Sequence, residues 1–125
     1  YSSVGALGLG QIMPATYDNI RRLYPGANLI KDTNIGRVDI INGIKATILV
    51  FDDHYATVLR RLSDSRQGKA ALSKKSKAEI EEMRAAIYNG GPGKINSQTA
   101  QISSAVSETV NFVSKFRKIR DLKLF

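Results

Sequence analysis

The sequence contains no cysteine and only one histidine, His54. Without cysteine, the chain can form neither a disulfide bond nor a thiolate metal site, and cysteine usage does not indicate its redox compartment. A single histidine cannot supply a metal site built on histidines, and it gives no redundancy for a Ser-His-Asp arrangement. We therefore expect His54 to be an ordinary helix-side residue beside Asp52 and Asp53.

Long apolar runs are also missing. No stretch approaches the ~20 apolar residues that a membrane-spanning helix needs, and no secretory signal is visible at Tyr1. Hydrophobic residues make up 42% and charged residues 24% of the 125 residues, which is typical of a folded protein. Because this length suits one domain with a modest core, we predict a single domain over residues 1–125, without a transmembrane segment.

Acidic residues are scarce. The chain has 11 Asp and Glu against 19 Lys and Arg, which gives a formal net charge of +8. A basic chain attracts polyanions such as nucleic acid, an anionic membrane or an anionic cell wall, and the charge alone does not choose among them. The clearest basic groups are Arg60-Arg61, Lys74-Lys75 and the C-terminal set Lys115, Arg117, Lys118, Arg120 and Lys123.

The alternating pattern of strands is absent as well, and apolar residues instead recur at helical spacing. A first helix is predicted to begin at Pro14 and to stop before Pro25-Gly26. Residues 27–37 are predicted to be a loop. Residues 38–62 are predicted to form one long amphipathic helix, in which Gly43 indicates a close packing contact.

The second half of the chain follows the same helical pattern. Residues 63–77 are polar and basic, and we expect a surface connection there. Ser76 and Glu79 form a capping-box pattern that begins a helix, and the Asn-Gly-Gly-Pro-Gly run from Asn89 ends it. A polar loop and a last helix over residues 104–123 complete a mainly α chain.

Three sequence motifs occur in order along the chain. Residues 2–14 read SSVGALGLGQIMP, residues 86–93 read AIYNGGPG, and residues 108–113 read ETVNFV. Together they resemble the S-x-x-G-A-x-G-L-x-Q-I-M-P, A-A-Y-N-A-G-P-G and E-T-x-x-Y-V segments of the lytic transglycosylases. Ile87 and Gly90 each replace an alanine of the family pattern, and Phe112 replaces its tyrosine and so lacks the hydroxyl group.

The resemblance covers residues 2–117 and implies a lysozyme-like α-helical fold, as in goose-type lysozyme and lytic transglycosylases. It implies cleavage of peptidoglycan glycan strands between N-acetylmuramic acid and N-acetylglucosamine, with formation of a 1,6-anhydro ring and without a metal ion or organic cofactor. The substrate places such a domain outside the cytoplasm, in the periplasm or cell wall, or on a phage virion. We expect no specific binding of nucleic acid.

The resemblance also assigns roles to residues of the substrate groove. Ser2 and Gln11 would donate hydrogen bonds near the catalytic acid and the N-acetyl group. Met13 would provide an apolar contact, Tyr88 would pack on a sugar face, and Asn89 would bind a polar substituent. Glu108 would line or support the groove. The glycines of the first motif, Gly5, Gly8 and Gly10, would let the backbone approach the glycan.

The catalytic glutamate of this family lies nine residues before the serine that corresponds to Ser2, and no residue of 1–125 occupies that position. We therefore expect the chain to be the N-terminally incomplete part of a larger chain or assembly. By itself it is expected not to lyse peptidoglycan. The alternatives are a non-catalytic peptidoglycan-binding or structural domain of the same fold, and a helical nucleic-acid binder.

Overall fold

The computed structural model describes residues 5, 6, 8, 10–103 and 107–122, of which 107–109 by their backbone only. It is mainly helical, with 73% of the described residues in helices. The described residues form no strand, apart from one isolated antiparallel bridge between Ile95 and Ile102. The predicted mainly α class is therefore confirmed. The contacts divide the chain into two compact units, Tyr1–Asp53 and His54–Phe125, and the prediction of a single domain stays a prediction.

The first unit contains helix α1 (Pro14–Leu23), helix α2 (Thr33–Val38) and the beginning of helix α3 (Ile40–Ser63). The proline at the first position of α1 lacks the N–H group that a helix start leaves unpaired, so α1 begins where the sequence predicts. Helix α1 packs against α2. The core of this unit consists of Ile12, Tyr17, Ile20, Leu29 and Ala46.

Helix α2 corrects the prediction that residues 27–37 are a loop. The Asp32 carboxylate accepts hydrogen bonds from the backbone N–H groups of Asn34 and Ile35, at 3.0 and 2.9 Å. These bonds satisfy donors that the first turn of a helix leaves unpaired, so a helix as short as Thr33–Val38 can form. A helix of this length is too short to show a helical repeat of apolar residues in the sequence, but Asp32 followed by Thr33 is a capping signal.

A buried polar network links the helices of the first unit. The Tyr17 hydroxyl donates a hydrogen bond to the Ile30 carbonyl at 2.6 Å and accepts one from the Asn42 amide at 2.9 Å. The Asn42 amide also donates to the Gly36 carbonyl, and its oxygen accepts from the Ile30 N–H. Every member is satisfied, which is the condition for burying polar groups without a large loss of free energy.

The second unit contains the end of α3, helix α4 (Arg66–Ser73), helix α5 (Lys77–Gly90) and helix α6 (Ser107–Asp121). Helix α5 packs against α6. Beside this contact, Glu82 on α5 binds Arg117 and Arg120 of α6. The buried core consists of Val58, Leu62, Met83, Ala86, Ile87, Ile95, Ala100 and Val113.

Helix α4 lies inside the region that the sequence analysis treats as a surface connection, so that prediction is wrong for residues 66–73. The Ser65 hydroxyl caps the helix by accepting from the Gly68 N–H at 2.9 Å. Gly68 is buried, and a Cβ atom at this position would lie 2.2 Å from the Leu62 carbonyl oxygen. This close contact depends on tertiary packing, which a polar and basic sequence does not reveal.

Both ends of α5 follow the sequence prediction. The Ser76 hydroxyl accepts from the Glu79 N–H, and the Glu79 carboxylate accepts from the Ser76 N–H, each at 3.1 Å. The predicted capping box is therefore confirmed. At the other end, Gly91 adopts a φ of 83°, a conformation that favours glycine and ends the helix.

The predicted apolar stripe of α3 is not buried along its whole length. Val58 and Leu62 lie in the core of the second unit, whereas Ile41, Ile44 and Ile48 are exposed. Gly43 likewise makes no contact closer than ordinary packing, because a Cβ atom there would lie 3.4 Å from its nearest neighbour, the Arg37 carbonyl oxygen. Within the described part of the chain, no helix is both long and apolar enough to cross a membrane.

Candidate functional site

The glycine-rich segment before α1 is held by one buried arginine of α2. Arg37 is only 4% exposed, and its guanidinium donates to the carbonyl oxygens of Gly5 at 2.7 Å and Ile12 at 2.9 Å. It also donates to the Thr33 carbonyl and to the Asn34 side chain. All these acceptors are uncharged oxygens, so Arg37 forms no ion pair through these bonds. Because it binds the carbonyl groups of both Gly5 and Ile12, it holds these two positions of the segment against α2.

Two glycines of this segment are explained by contacts inside the protein. Gly8 has a φ of 82°, and a Cβ atom there would lie 1.7 Å from the Arg37 carbonyl oxygen. At Gly10 a Cβ atom would lie 2.0 Å from the Thr47 hydroxyl oxygen. At Gly8 and Gly10 the backbone therefore approaches α2 and α3, whereas the resemblance implied that it approaches the glycan. Only at Gly5 is the space next to the backbone open, with nothing within 4 Å.

Gln11 and Met13 follow on the same segment and are both exposed. The Gln11 side chain turns back and donates to the Gly8 carbonyl at 2.8 Å, and its backbone φ is 48°. Met13 occupies the position just before α1, where its carbonyl accepts from the Tyr17 N–H. The amide oxygen of Gln11 and the thioether of Met13 are thus available at the surface of the first unit.

In the second unit, Tyr88 and Phe112 form an aromatic pair. Their ring centroids lie 6.2 Å apart, and the ring planes are inclined by 26°. Tyr88, on the last turns of α5, is 55% exposed, whereas Phe112, on α6, is partly buried behind it. Offset pairs of this kind keep one ring face accessible while the pair itself is stabilised by about 1 kcal/mol. We call this pair the aromatic platform.

Two clefts border the aromatic platform, each of about 320 Å³. The first is apolar and is lined by Glu81, Arg84, Ala85, Tyr88, Phe112 and Phe116. The second is lined by Asn89, Asn111, Phe112 and Lys115, so it carries amide and ammonium groups beside an aromatic ring. Amide groups on one side and aromatic rings on the other are a combination suited to a ligand with apolar faces and many hydroxyl or amide groups.

The structure thus brings Tyr88 and Asn89 of the predicted site together with residues that the sequence analysis did not name. Glu81, Arg84 and Tyr88 are spaced by three and four residues on α5, and Phe112 and Phe116 by four on α6. This spacing places each set on one face of its helix, and it is the sequence signal from which these lining residues could have been identified. Which face meets which was decided by the packing of α5 on α6.

Two of the predicted site residues cannot be placed. Ser2 lies outside the described residues, and for Glu108 only the backbone, in the first turn of α6, is described. Gln11 and Met13 lie in the first unit, and Tyr88 and Asn89 in the second.

The carboxyl group of Glu79 is not prepared as a proton donor. The pKa of Glu79 is held below its ordinary value, mainly by the hydrogen bond from the backbone N–H of Ser76 and also by the Ser76 hydroxyl. A general acid requires the opposite, a raised pKa. Burial, with the carboxylate of Asp53, raises the pKa of the Tyr24 hydroxyl, which stays protonated near neutral pH. Among the described residues, no three acidic or histidine side chains form a group that could hold a metal ion.

No protein family matches the chain, and neither a curated protein nor a solved structure is significantly similar to it.

Proposed function

We propose that the chain belongs to a peptidoglycan lytic transglycosylase with a lysozyme-like fold, and that residues 1–125 hold the glycan strand. The observation that carries this proposal is the aromatic platform, which stands beside Asn89 and Asn111 within the second and third motifs. The resemblance supports it because it assigns sugar contacts to Tyr88 and Asn89 independently of the helix packing.

The proposed contacts follow from the chemistry of N-acetylated sugars. The apolar C–H face of a sugar ring packs on the exposed face of Tyr88, as apolar groups do on aromatic rings. Asn89 and Asn111 exchange hydrogen bonds with N-acetyl and hydroxyl groups, and Lys115 attracts the carboxylate of a muramic acid substituent or peptide. Gln11 and Met13 retain the roles that the resemblance implies.

Cleavage requires one further group. In the proposed reaction a protonated glutamate donates its proton to the bridging oxygen between N-acetylmuramic acid and N-acetylglucosamine. The resulting carboxylate then removes the proton of the muramic 6-hydroxyl, whose oxygen closes the 1,6-anhydro ring. No water is consumed. By motif position, this glutamate has no counterpart within residues 1–125, so these residues supply binding and orientation. The proposed substrate places the domain in the periplasm or cell wall, or on a phage virion.

The binding part of the proposal is tested by sedimenting residues 1–125 with purified, insoluble peptidoglycan. We expect binding, and we expect Tyr88→Ala to weaken it at least tenfold, a loss of about 1.4 kcal/mol. The matched control is Leu23→Ala on α1, because Leu23 is 51% exposed and lies in the other unit. Equal binding by Tyr88→Ala and Leu23→Ala would contradict the proposed site.

The alternative function is a non-catalytic peptidoglycan-binding domain of the same fold, which the aromatic platform supports equally because it provides sugar contacts without any chemistry. Mass spectrometry of the soluble products separates the two. A form of the protein that carries a glutamate nine residues before Ser2 is expected to release 1,6-anhydro-muropeptides, and replacing that glutamate by glutamine is expected to stop the release. Binding without any product would identify the alternative, and products with reducing ends would indicate a hydrolase.

A further inference from the structure

The second unit has a further cleft, of about 420 Å³, beside α4. Its lining comes from one face of α4, the first turn of α5 and the loop of residues 96–101. Three of the four glutamines in the sequence, Gln67, Gln98 and Gln101, line it, and we call it the glutamine cleft. It shares no lining residue with the two clefts at the aromatic platform, so it is a separate site.

The loop that carries Gln98 and Gln101 is tied down by hydrogen bonds. The Asn96 side chain accepts from the backbone N–H groups of Gln98 and Thr99, both at 2.9 Å. The Asn96 N–H donates to the Gln101 carbonyl at 3.0 Å, and the Asn96 carbonyl accepts from the Ala100 N–H at 2.9 Å. Ala100 is fully buried. Because the loop is already ordered, little free energy is lost in fixing it when a ligand binds.

Gly68 fixes the opposite wall of the cleft. A Cβ atom at this position would lie 2.7 Å from the Ser97 carbonyl oxygen and 2.2 Å from the Leu62 carbonyl oxygen. The missing side chain thus lets α4 contact the loop and the end of α3 at the same time. Gln67 lines the cleft directly before this contact. The packing of α4 therefore sets the distance between the glutamine of the helix and those of the loop.

The uncharged groups of the glutamine cleft suit a peptide. A glutamine amide carries both N–H donors and a carbonyl acceptor, which are the two groups that a peptide bond pairs with. All three glutamines are exposed, and within the described part of the chain their side chains make no hydrogen bond. Three such amides around one cleft can therefore bind several peptide groups of one ligand.

The charged groups of the cleft have both signs. Lys74, Lys75 and Glu79 line it together. Neither lysine takes part in an ion pair among the described residues. Hydrogen bonding, mainly from the backbone N–H of Ser76, lowers the pKa of Glu79, so this carboxylate is charged at neutral pH. The lysines attract carboxylates, whereas Glu79 repels a purely anionic ligand and attracts an amino group.

We propose that the glutamine cleft binds a short peptide that carries both carboxylate groups and an amino group. Lys74 and Lys75 bind the carboxylates, Glu79 binds the amino group, and the glutamine amides bind the peptide groups. The proposal uses no residue of the aromatic platform, so it holds or fails independently of the proposed function. Because the lining is exposed to water, we expect a dissociation constant on the order of 0.1–1 mM.

Nuclear magnetic resonance of isotope-labelled protein, titrated with the tetrapeptide Ala-Glu-Lys-Ala, tests the proposal. We expect the side-chain amide signals of Gln67, Gln98 and Gln101 to shift, while that of Gln11, in the first unit, stays in place. Amidation of both carboxylates of the peptide is expected to abolish the shifts. The absence of shifts at millimolar peptide, equal shifts of all four glutamines, or shifts that survive amidation would overturn the proposal.

Lys74→Gln tests the basic side of the cleft. It should weaken binding of the peptide about fivefold, because a carboxylate loses a charged hydrogen-bond donor. The matched control is Lys69→Gln, which removes the same charge from α4 at a residue that does not line the cleft. Equal effects of the two variants would mean that only the net charge attracts the peptide, and the proposed site would be wrong.

Glu79→Gln tests the acidic side. Glutamine also serves at this position of a capping box, so α5 is expected to keep its start. The variant should bind the unmodified peptide more weakly, and the peptide with both amino groups acetylated more tightly, than the native protein does. We expect the ratio of the two affinities to change about threefold. An unchanged ratio, or native protein that binds inorganic phosphate as tightly as the peptide, would contradict the proposed ligand.

Discussion

Tyr17 shows how much of the first unit depends on one hydroxyl group. The side chain is fully buried, and the hydroxyl joins α1 to the Ile30 carbonyl before α2 and to Asn42 on α3. Gly36 belongs to the same contact, because a Cβ atom there would lie 2.0 Å from the Tyr17 hydroxyl oxygen. The network therefore fixes both the position of α2 and the kind of residue that α2 can carry.

At this scale we predict that Tyr17→Phe lowers the free energy of unfolding by about 1–3 kcal/mol, because two buried partners lose a hydrogen bond. Tyr24→Phe removes the same group from a partly exposed position, where the hydroxyl lies 3.4 Å from Asp53. Its effect should stay within about 0.5 kcal/mol. Urea denaturation of both variants measures the difference, and equal effects would show that the Tyr17 network is not important for stability.

Among the elements, the helices show which sequence signals suffice. Helices α1 and α5 are bounded by proline, glycine or a capping box, and α3 is long and periodic, so the existence of all three follows from sequence signals. Helices α2 and α4 are short, and neither presents a clear apolar stripe. Asp32 and Ser65 cap them, but packing stabilises them, and packing is visible only in the folded chain.

Replacing each of two helical glycines by alanine should therefore change the stability of the protein in opposite directions. Gly68→Ala is expected to destabilise the protein by about 1–3 kcal/mol, because the new Cβ atom would overlap the carbonyl oxygens of Leu62 and Ser97. Gly43→Ala is expected to stabilise it by about 0.5 kcal/mol, since alanine favours the helix and only ordinary contacts surround that position. Thermal and urea unfolding measure both. A stabilising Gly68→Ala would mean that α4 can move away from α3 at no loss.

The whole molecule carries a net charge of +8, which is the main argument for a nucleic-acid partner. Part of the predicted basic cluster is neutralised inside the protein, because Arg117 and Arg120 both contact Glu82. Arg60 and Arg61, in contrast, are exposed. A surface of this kind gives long-range attraction that salt screens, whereas stacking on the aromatic platform depends little on salt.

At this scale we predict different salt dependence for the two kinds of ligand. Any affinity for generic duplex DNA should fall at least tenfold between about 50 and 200 mM salt, because such binding rests on phosphate contacts. Most of the affinity for peptidoglycan should remain. Tyr88→Ala should lower peptidoglycan binding without changing DNA binding. Sequence-independent DNA binding that persists at the higher salt would favour the nucleic-acid alternative.

The sequence by itself determined the mainly α class, the start of α1 and both ends of α5, and it named Tyr88, one ring of the aromatic platform, together with its neighbour Asn89. These depend on local signals: helical spacing, caps and glycine stops act within a few residues. Only the tertiary structure decided that Phe112 stacks on Tyr88, that Gly8 and Gly10 face α2 and α3, and that Ile41, Ile44 and Ile48 stay exposed. Those outcomes depend on which surfaces meet, and apolar residues attract one another without specifying a partner in the sequence.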